Sequence, residues 1–401
     1  MGPRVLIIGA SLAGLRSAEA VLAAVPDAQV TLVGDEAHPP YNRPPLSKET
    51  LAGLVAGEAA LDKLTFRHRL AEDAVTWRLG VRALSTDAAR QVVHLSDGGV
   101  LAYDWLIAAS GLRPRRLALP GAEERHVLRS VDDATRLASR MRPGARMLVV
   151  GGGFIGCEVA ATAVKLGLSV SVVEPLAQPM LAALGPEVAA ALAGFHRACG
   201  VDLRCGMAVT GAEDGAVVLS DGSRIGADVI VEAVGSVPNV EWLAGAGLDL
   251  SNGVLCDATM TAEGSDRILA TGDVARFPNA LFDATPRRVE HWSIPGLTAR
   301  RAAETIAARG AGVEPPTRFA PLPGFWSDQH GLRLQSFGAP GLGDEVQVLE
   351  GGLAALGRLP CLIEYRRAGK PVGILGLGAA PAALAQHRAR LERALTETVA
   401  A

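Results

Sequence analysis

Apolar residues run without a polar break through two short stretches of the chain, VLII at residues 5–8 and MLVV at residues 147–150. Aliphatic runs with no polar alternation predict parallel strands covered on both faces, so helices should flank the sheet. Each run ends in a glycine-rich turn, and each turn opens an alanine-rich stretch that predicts a helix. A second strand then follows in both places: VTLVGD, ending at Asp35, and SVSVVE, ending at Glu174. The two regions align as RVLIIGASLAGLRSAEA (Arg4 to Ala20) and RMLVVGGGFIGCEVAAT (Arg146 to Thr162), 142 positions apart from Gly9 to Gly151. Downstream, LSDGGVLAYDWLIAASG (Leu95 to Gly111) matches LSDGSRIGADVIVEAVG (Leu219 to Gly235) at a constant offset of 124. The chain is therefore expected to be α/β, with two tandem Rossmann-like units. After Pro321 the pattern changes to short strands, with a hairpin expected around Ala368-Gly369 and a final helix from Leu384 to Val399. That region reads as a C-terminal α+β domain. The last helix carries Leu384, Leu391, Leu395 and Val399 on one face, a pattern suited to packing on its own domain.

The turns carry the first candidate chemistry. A glycine turn between a buried strand and a helix places free backbone N–H groups and the positive end of the helix dipole where a pyrophosphate can sit. An isolated GxGxxG is also an ordinary strand-to-helix turn. Here it occurs twice, in strand–turn–helix context both times, each followed by a strand that ends in a carboxylate at the spacing of an adenosine ribose. Two dinucleotides are implied. The first turn, Gly9-Ala10-Ser11-Leu12-Ala13-Gly14, has Ser11 in the middle glycine's place, trading some closeness of approach for a hydroxyl. The second, Gly151-Gly152-Gly153-Phe154-Ile155-Gly156, fits the full pattern. Glu174 favours a free ribose 2′-hydroxyl and repels a 2′-phosphate, which predicts NADH over NADPH; the alternative is a solvated cap at a strand end.

Composition narrows the class. A chain of 401 residues is long enough for two or three domains, since single cores seldom exceed about 250–300 residues. A net charge of −3 gives no overall attraction to nucleic acid or to an anionic membrane. The N-terminal apolar run reaches glycine by Gly9, and the late run Val372 to Ala385 is interrupted by glycines and Pro381, so no signal peptide or membrane span is expected and the cytoplasm is the expected compartment. Five cysteines form no CxxC pair and no metal-ligand cluster, and residues 1–156 contain none.

The motifs GASLAGLRSAE, VGDEAHPPYNRPPLSK, AASGLRPR, GGGFIGCEVA, AVGSVPN, ATGDVARF, VEHW and FWSDQ, in that order along nearly the whole chain, resemble the two-dinucleotide flavoprotein reductases of the glutathione-reductase superfold. The narrower likeness is to the oxygenase-coupled, NADH-dependent ferredoxin reductases. This resemblance implies FAD on the first unit, with its pyrophosphate on Gly9 to Gly14, its adenosine ribose on Asp35 and its ribityl chain near Asp273. Arg43, Lys48 and Arg129 match FAD-contacting positions, while the backbone near Ala83 would meet the adenine and that near Trp292 the flavin ring. NAD(H) would lie on Gly151 to Gly156 and Glu174, with the nicotinamide near Glu158 and Gly235. Lys48, held by Pro44 and Pro45, would stand at the reactive edge of the flavin paired with Glu158, where a cation favours the anionic reduced form. Read alone, PPLSK is simply a helix start with a solvated lysine.

The same likeness implies an external one-electron acceptor. The cysteines that disulfide, CoA-disulfide and peroxide reductases of the superfold require are absent from RPPLSKETL; Cys157, at a helix start, is either a low-pKa thiol or a packed small residue. The expected activity is a FAD-dependent NADH:ferredoxin reductase serving a cytochrome P450 or a Rieske oxygenase through a 2Fe–2S ferredoxin. Rubredoxin reductase and a redox sensor resembling apoptosis-inducing factor stand as alternatives. Arg300 and Arg301 in TARRAAE are the docking candidates for an acidic ferredoxin, and Trp326 is placed either near the flavin or in the core. The stretch Ser293-Ile294-Pro295-Gly296-Leu297 departs from the family pattern and should alter the helix start there. The expected organisation is an FAD domain at 1–113 and 240–318, an NAD domain at 114–239 and a C-terminal domain at 319–401, in a monomer or weak dimer.

Overall fold

The computed structural model describes residues 2–58, 61–68, 70–71, 73–120, 125–213 and 216–400, without the side chains of 213 and 398–400. It divides into two compact units: Met1–Asn42 with Thr65–Arg113 and Val237–Pro323, and Arg43–Leu64 with Pro114–Ser236 and Gly324–Ala401. The segment 43–64 thus packs with the second unit, together with the C-terminal region.

The first unit is built on a five-stranded parallel sheet in the order Ile268–Ala270, Trp105–Ala108, Arg4–Ile8, Gln29–Gly34, Val75–Leu79. Its central strand is VLII: Val5, Leu6, Ile7 and Ile8 are all buried, the double-sided burial that an unbroken apolar run demands. The helix Leu12–Ala24 follows the first turn and packs against the helix Ile294–Gly310. Two small sheets, Ala83–Asp87 with Val92–Leu95 and Val100–Ala102, and Val254–Leu255 with Ala275–Asn279 and Asp283–Arg288, complete this unit. Pro295 does not prevent the last of these helices: it sits in the first turn, where a missing N–H removes no helical bond.

The second unit repeats the plan with a four-stranded parallel sheet, Asp202–Cys205, Ser169–Glu174, Arg146–Val150 and Val229–Glu232. The repeat extends to one surface ion pair. Arg4 Nη2 donates to Asp104 at 2.8 Å and Arg146 Nη2 to Asp228 at 2.9 Å, each locking the first residue of a central strand to the residue preceding a neighbouring strand. The C-terminal part is a five-stranded antiparallel sheet in the order Gly324–Gln329, Leu332–Gly338, Lys370–Leu377, Cys361–Arg367, Glu345–Glu350. Its expected hairpin turns at Ala368 and Gly369, with φ of 49° and 75°, the left-handed pair that a two-residue connection requires. The final helix spans Pro381–Ala400 and buries Leu384, Leu391 and Leu395; the side chain of Val399 lies outside the described residues. Among the described residues, no helix is long and apolar enough to cross a membrane.

Candidate functional site

Both glycine turns are shaped by close backbone approach. A Cβ on Gly9, whose φ is +122°, would lie 2.1 Å from the Ala109 carbonyl oxygen, and one on Gly151, at φ +104°, would lie 2.4 Å from that of Ala233. The third glycine of each turn is packed just as tightly: a Cβ on Gly14 would lie 1.8 Å from Gly9 O, and one on Gly156 2.0 Å from Gly151 O. These two contacts press each helix onto its strand, so the helix N-terminus opens directly above the sheet edge. At Gly153, the N-cap of the helix Phe154–Lys165, a Cβ would meet nothing within 4 Å. That open ground beside free helix N–H groups is a cradle for a pyrophosphate, and the residues fit the group. In the first turn Ser11 holds the corresponding N-cap place before Leu12–Ala24.

The first unit holds several of the expected residues. Gly272, at φ +70°, would carry a Cβ 2.7 Å from that of Ala13, so the turn bearing Asp273 lies against the start of the first helix. Ser17 and Thr271 share a buried hydroxyl–hydroxyl bond of 3.2 Å, and Thr298 accepts the Gly272 N–H at 2.9 Å. Asp35 follows the strand Gln29–Gly34 and is exposed. Ala83 opens its strand buried. Trp292 is 43% exposed, with its indole N–H 3.3 Å from Asn42 Oδ1.

In the second unit Glu174 is buried and doubly engaged, accepting the N–H groups of Gly152 at 2.6 Å and Leu176 at 2.9 Å. It is therefore no solvated strand-end cap. Gly235, at φ +99°, follows the strand that abuts the turn, and its carbonyl accepts the Arg115 N–H at 2.9 Å. Phe154 stacks against Phe325 with ring centroids 4.9 Å apart, and Ile155 is exposed. Arg43 and Arg129 meet, the guanidinium donating to the Arg129 carbonyl at 2.8 Å.

The densest chemistry is the pair foreseen from RPPLSK. Pro44–Ser47 forms a short 3-10 turn, and Lys48, just beyond it, places Nζ 2.8 Å from Glu158 Oε2 with both side chains almost fully buried. Ser47 Oγ donates to the same oxygen at 2.5 Å, and Ser327 Oγ to Glu158 Oε1 at 2.6 Å. Thr162, one helical turn beyond Glu158, ties its hydroxyl to the Ser47 carbonyl at 2.7 Å. The lysine is thus neither solvated nor free. Desolvation makes a buried pair of this kind weak evidence for stability; its value here is a cation held in one place.

One expectation changes and two alternatives are decided. Arg301 does not face outward: its guanidinium donates to the carbonyls of Pro316 and Arg318, pairs with Glu304 and stacks on Phe319. It anchors the segment after its own helix, and only Arg300 is exposed. Cys157 is no activated thiol, because burial and then the nearby Glu174 push it well above the ordinary thiol range. Trp326 is half-buried with Arg333 5.8 Å over its ring, so it is not a core aromatic. Ser327 and Gln329 carried no signal in the sequence, standing in an unbroken polar run with Asp328; in the strand Gly324–Gln329 both side chains are fully buried. Nor did Arg125 and Glu232, a buried ion pair at 2.8 Å whose arginine binds the carbonyls of Leu117, Leu119 and Pro120.

Two successive dinucleotide turns on parallel sheets, a buried lysine–carboxylate pair and no paired cysteine define a two-nucleotide oxidoreductase of the α/β class. Residues 3–298 match the family model described as pyridine nucleotide-disulphide oxidoreductase. The chain is 36% identical to putidaredoxin reductase CamA of Pseudomonas putida, over 87% of this chain and 83% of that protein. It is 35% identical to the ferredoxin–NAD(+) reductase component of the p-cumate 2,3-dioxygenase system of Pseudomonas putida, over 84% and 81% of the two chains. The crystal structure of the covalent putidaredoxin reductase–putidaredoxin complex superposes with a TM-score of 0.88 at 32% identity, covering 97% of this chain and 93% of that one. The chain belongs to the pyridine nucleotide-disulphide oxidoreductase family, whose cofactors are FAD and NAD(H).

Proposed function

We propose that the protein is a FAD-dependent NADH:ferredoxin reductase, passing electrons from NADH one at a time to a 2Fe–2S ferredoxin that supplies a cytochrome P450 or a Rieske oxygenase. The observation that carries the reading is the Lys48–Glu158 pair standing in a segment without cysteine, within a two-dinucleotide fold. A bound flavin supplies what no side chain can, taking two electrons together from reduced nicotinamide and releasing them singly. The chain's residues bind and orient. In the first unit the turn Gly9 to Gly14, Asp35, Ala83, Asp273 and Trp292 serve FAD, with Arg43 and Arg129 of the second unit assigned to it by the family likeness. In the second unit the turn Gly151 to Gly156, Gly235 and Glu174 serve NADH. Glu174 keeps a negative charge where a 2′-phosphate would fall, which sets the preference for NADH. Lys48 is assigned to the flavin's reactive edge by the likeness of RPPLSK, and a fixed cation there stabilises negative charge as it develops.

The finer organisation belongs to the same proposal: an FAD domain at 1–113 and 240–318, an NAD domain at 114–239 and a C-terminal domain at 319–401, in a cytoplasmic monomer or weak dimer. Arg300 is the docking candidate for an acidic ferredoxin. The test is NADH-driven reduction of cytochrome c by the purified protein, with and without a panel of 2Fe–2S ferredoxins and a rubredoxin. Strong stimulation by a 2Fe–2S ferredoxin with NADH, and little with NADPH, is expected. Stimulation by rubredoxin alone, or by no carrier, would overturn the assignment.

A further inference from the structure

Glu158 is the inner end of a longer buried chain. Ser327 Oγ, which donates to Glu158 Oε1 at 2.6 Å, accepts from Gln329 Nε2 at 2.9 Å. The Gln329 amide oxygen faces His196 Nε2 at 2.8 Å, and His196 Nδ1 faces His330 Nε2 at 3.1 Å. Ser327, Gln329 and His196 are no more than 1% exposed, while His330 is half-buried at the outer end.

Only one proton arrangement satisfies every group. Gln329 donates through its amide nitrogen to Ser327, and to Met180 Sδ at 3.6 Å, so its oxygen must accept. His196 therefore carries its proton on Nε2 and accepts at Nδ1 from His330. Every donor then points toward Glu158. Burial lowers the His196 pKa, and burial followed by the charge of His196 pushes that of His330 down to about 4. Both rings are thus neutral near pH 7, as the arrangement requires. Polar groups this deep are retained when they fix one geometry, since a half-satisfied network costs more than an apolar core.

Resting on the reading of Lys48 as the cation at the flavin edge, we propose that Ser327, Gln329 and His196, with His330 as their outer end, are positioning residues that hold the Glu158 carboxylate, and through it Lys48, in a single place. Glu158 Oε2 takes Ser47 and Lys48, and Oε1 takes Ser327. Removing the Ser327 hydroxyl frees Oε1 to rotate, and the carboxylate no longer dictates where the ammonium sits.

The test is the flavin midpoint potential of the holoprotein in a double-mutant cycle. Lys48→Gln, which keeps a donor to Glu158 but removes the charge, should lower the potential. Ser327→Ala should lower it in the same sense by less, up to about tenfold in the reduced-to-oxidised ratio or ~30 mV for a two-electron couple. Ser327→Thr should restore it. On the Lys48→Gln background Ser327→Ala should have no further effect, because it acts through Lys48. Gln329→Met, of similar shape, gives the same reading should Ser327→Ala not fold. Potentials of Ser327→Ala and Gln329→Met equal to that of the unaltered protein, beside a lowered Lys48→Gln, would overturn the positioning role alone. So would a Ser327→Ala shift that persists undiminished without Lys48. If Lys48→Gln itself leaves the potential unmoved, the flavin-edge reading is lost and the proposal falls with it.

Discussion

At the level of single residues, the proposed activity rests on two buried carboxylates. Glu174 is held by two backbone N–H groups at a strand end, and Glu158 by two hydroxyls and a lysine on a helix. On the proposed assignment, Glu174→Arg replaces a charge that repels a 2′-phosphate by one that attracts it. The expected outcome is a shift in the ratio of kcat/KM for NADH over NADPH of about tenfold to a hundredfold toward NADPH, roughly 1.4–2.7 kcal/mol, read by steady-state assay with both nucleotides. An unchanged ratio would remove Glu174 from the ribose site. Lys48→Gln should slow ferredoxin-dependent turnover by about tenfold, as loss of one preorganised charge contact, while flavin content by absorbance stays stoichiometric. Both carboxylates were visible in the sequence, Glu174 from its spacing after a glycine turn and Glu158 only through the family likeness of its motif. Lys48 came with Glu158 through the same likeness, but the hydroxyl and amide groups around them did not: Ser47 lies 111 positions from Glu158, Ser327 lies 169 away, and His196 is 133 from Gln329. No spacing rule links residues that only the folded second unit brings together.

At the level of elements, the two strand–turn–helix units share the same construction. The strands and turns were legible because unbroken apolar runs and glycine spacing are local signals, and burial of Val5 to Ile8 and of Met147 to Val150 follows the pattern residue by residue. The helix carrying Arg300 and Arg301 shows where locality ends: neighbouring arginines look alike in sequence, yet one turns back to carbonyls beyond its helix while the other is exposed. The tight third glycines make a selective prediction. Gly156→Ala places a Cβ 2.0 Å from Gly151 O and should abolish reduction by NADH, by about a hundredfold or more in kcat/KM. The protein should stay yellow and still be reduced by dithionite. Gly14→Ala, with its 1.8 Å clash in the first turn, should instead yield protein depleted of flavin, measured by the absorbance ratio of flavin to protein. Equal flavin loss in both variants would contradict the division of labour between the turns.

Across the whole molecule, four histidines are held toward the neutral form, each first by burial: His291 and His330, both pushed down to about 4, and His126 and His196, lowered from the ordinary value. An unfolded chain takes up protons at these positions as pH falls below about 6.5, whereas the folded chain does so only at lower pH, nearer 4 for His291 and His330. Their contribution to stability is therefore complete above the unfolded value and is lost progressively as pH falls toward the folded one. The midpoint of urea unfolding should be lower at about pH 5 than at about pH 7.5; an equal or higher midpoint at the acid value would show that these rings do not govern the acid limb. Catalytically, the molecule is read as a converter from a two-electron donor to a one-electron carrier, and that claim has one direct test. The protein would be reduced anaerobically with NADH and mixed in a stopped-flow instrument with oxidised 2Fe–2S ferredoxin or with aerated buffer. Reoxidation by the ferredoxin much faster than by air, with the ferredoxin reduced in step, is the predicted result. Reoxidation no faster with ferredoxin than without, leaving a long-lived reduced flavin in air, would contradict the reductase assignment and favour a redox sensor in its place.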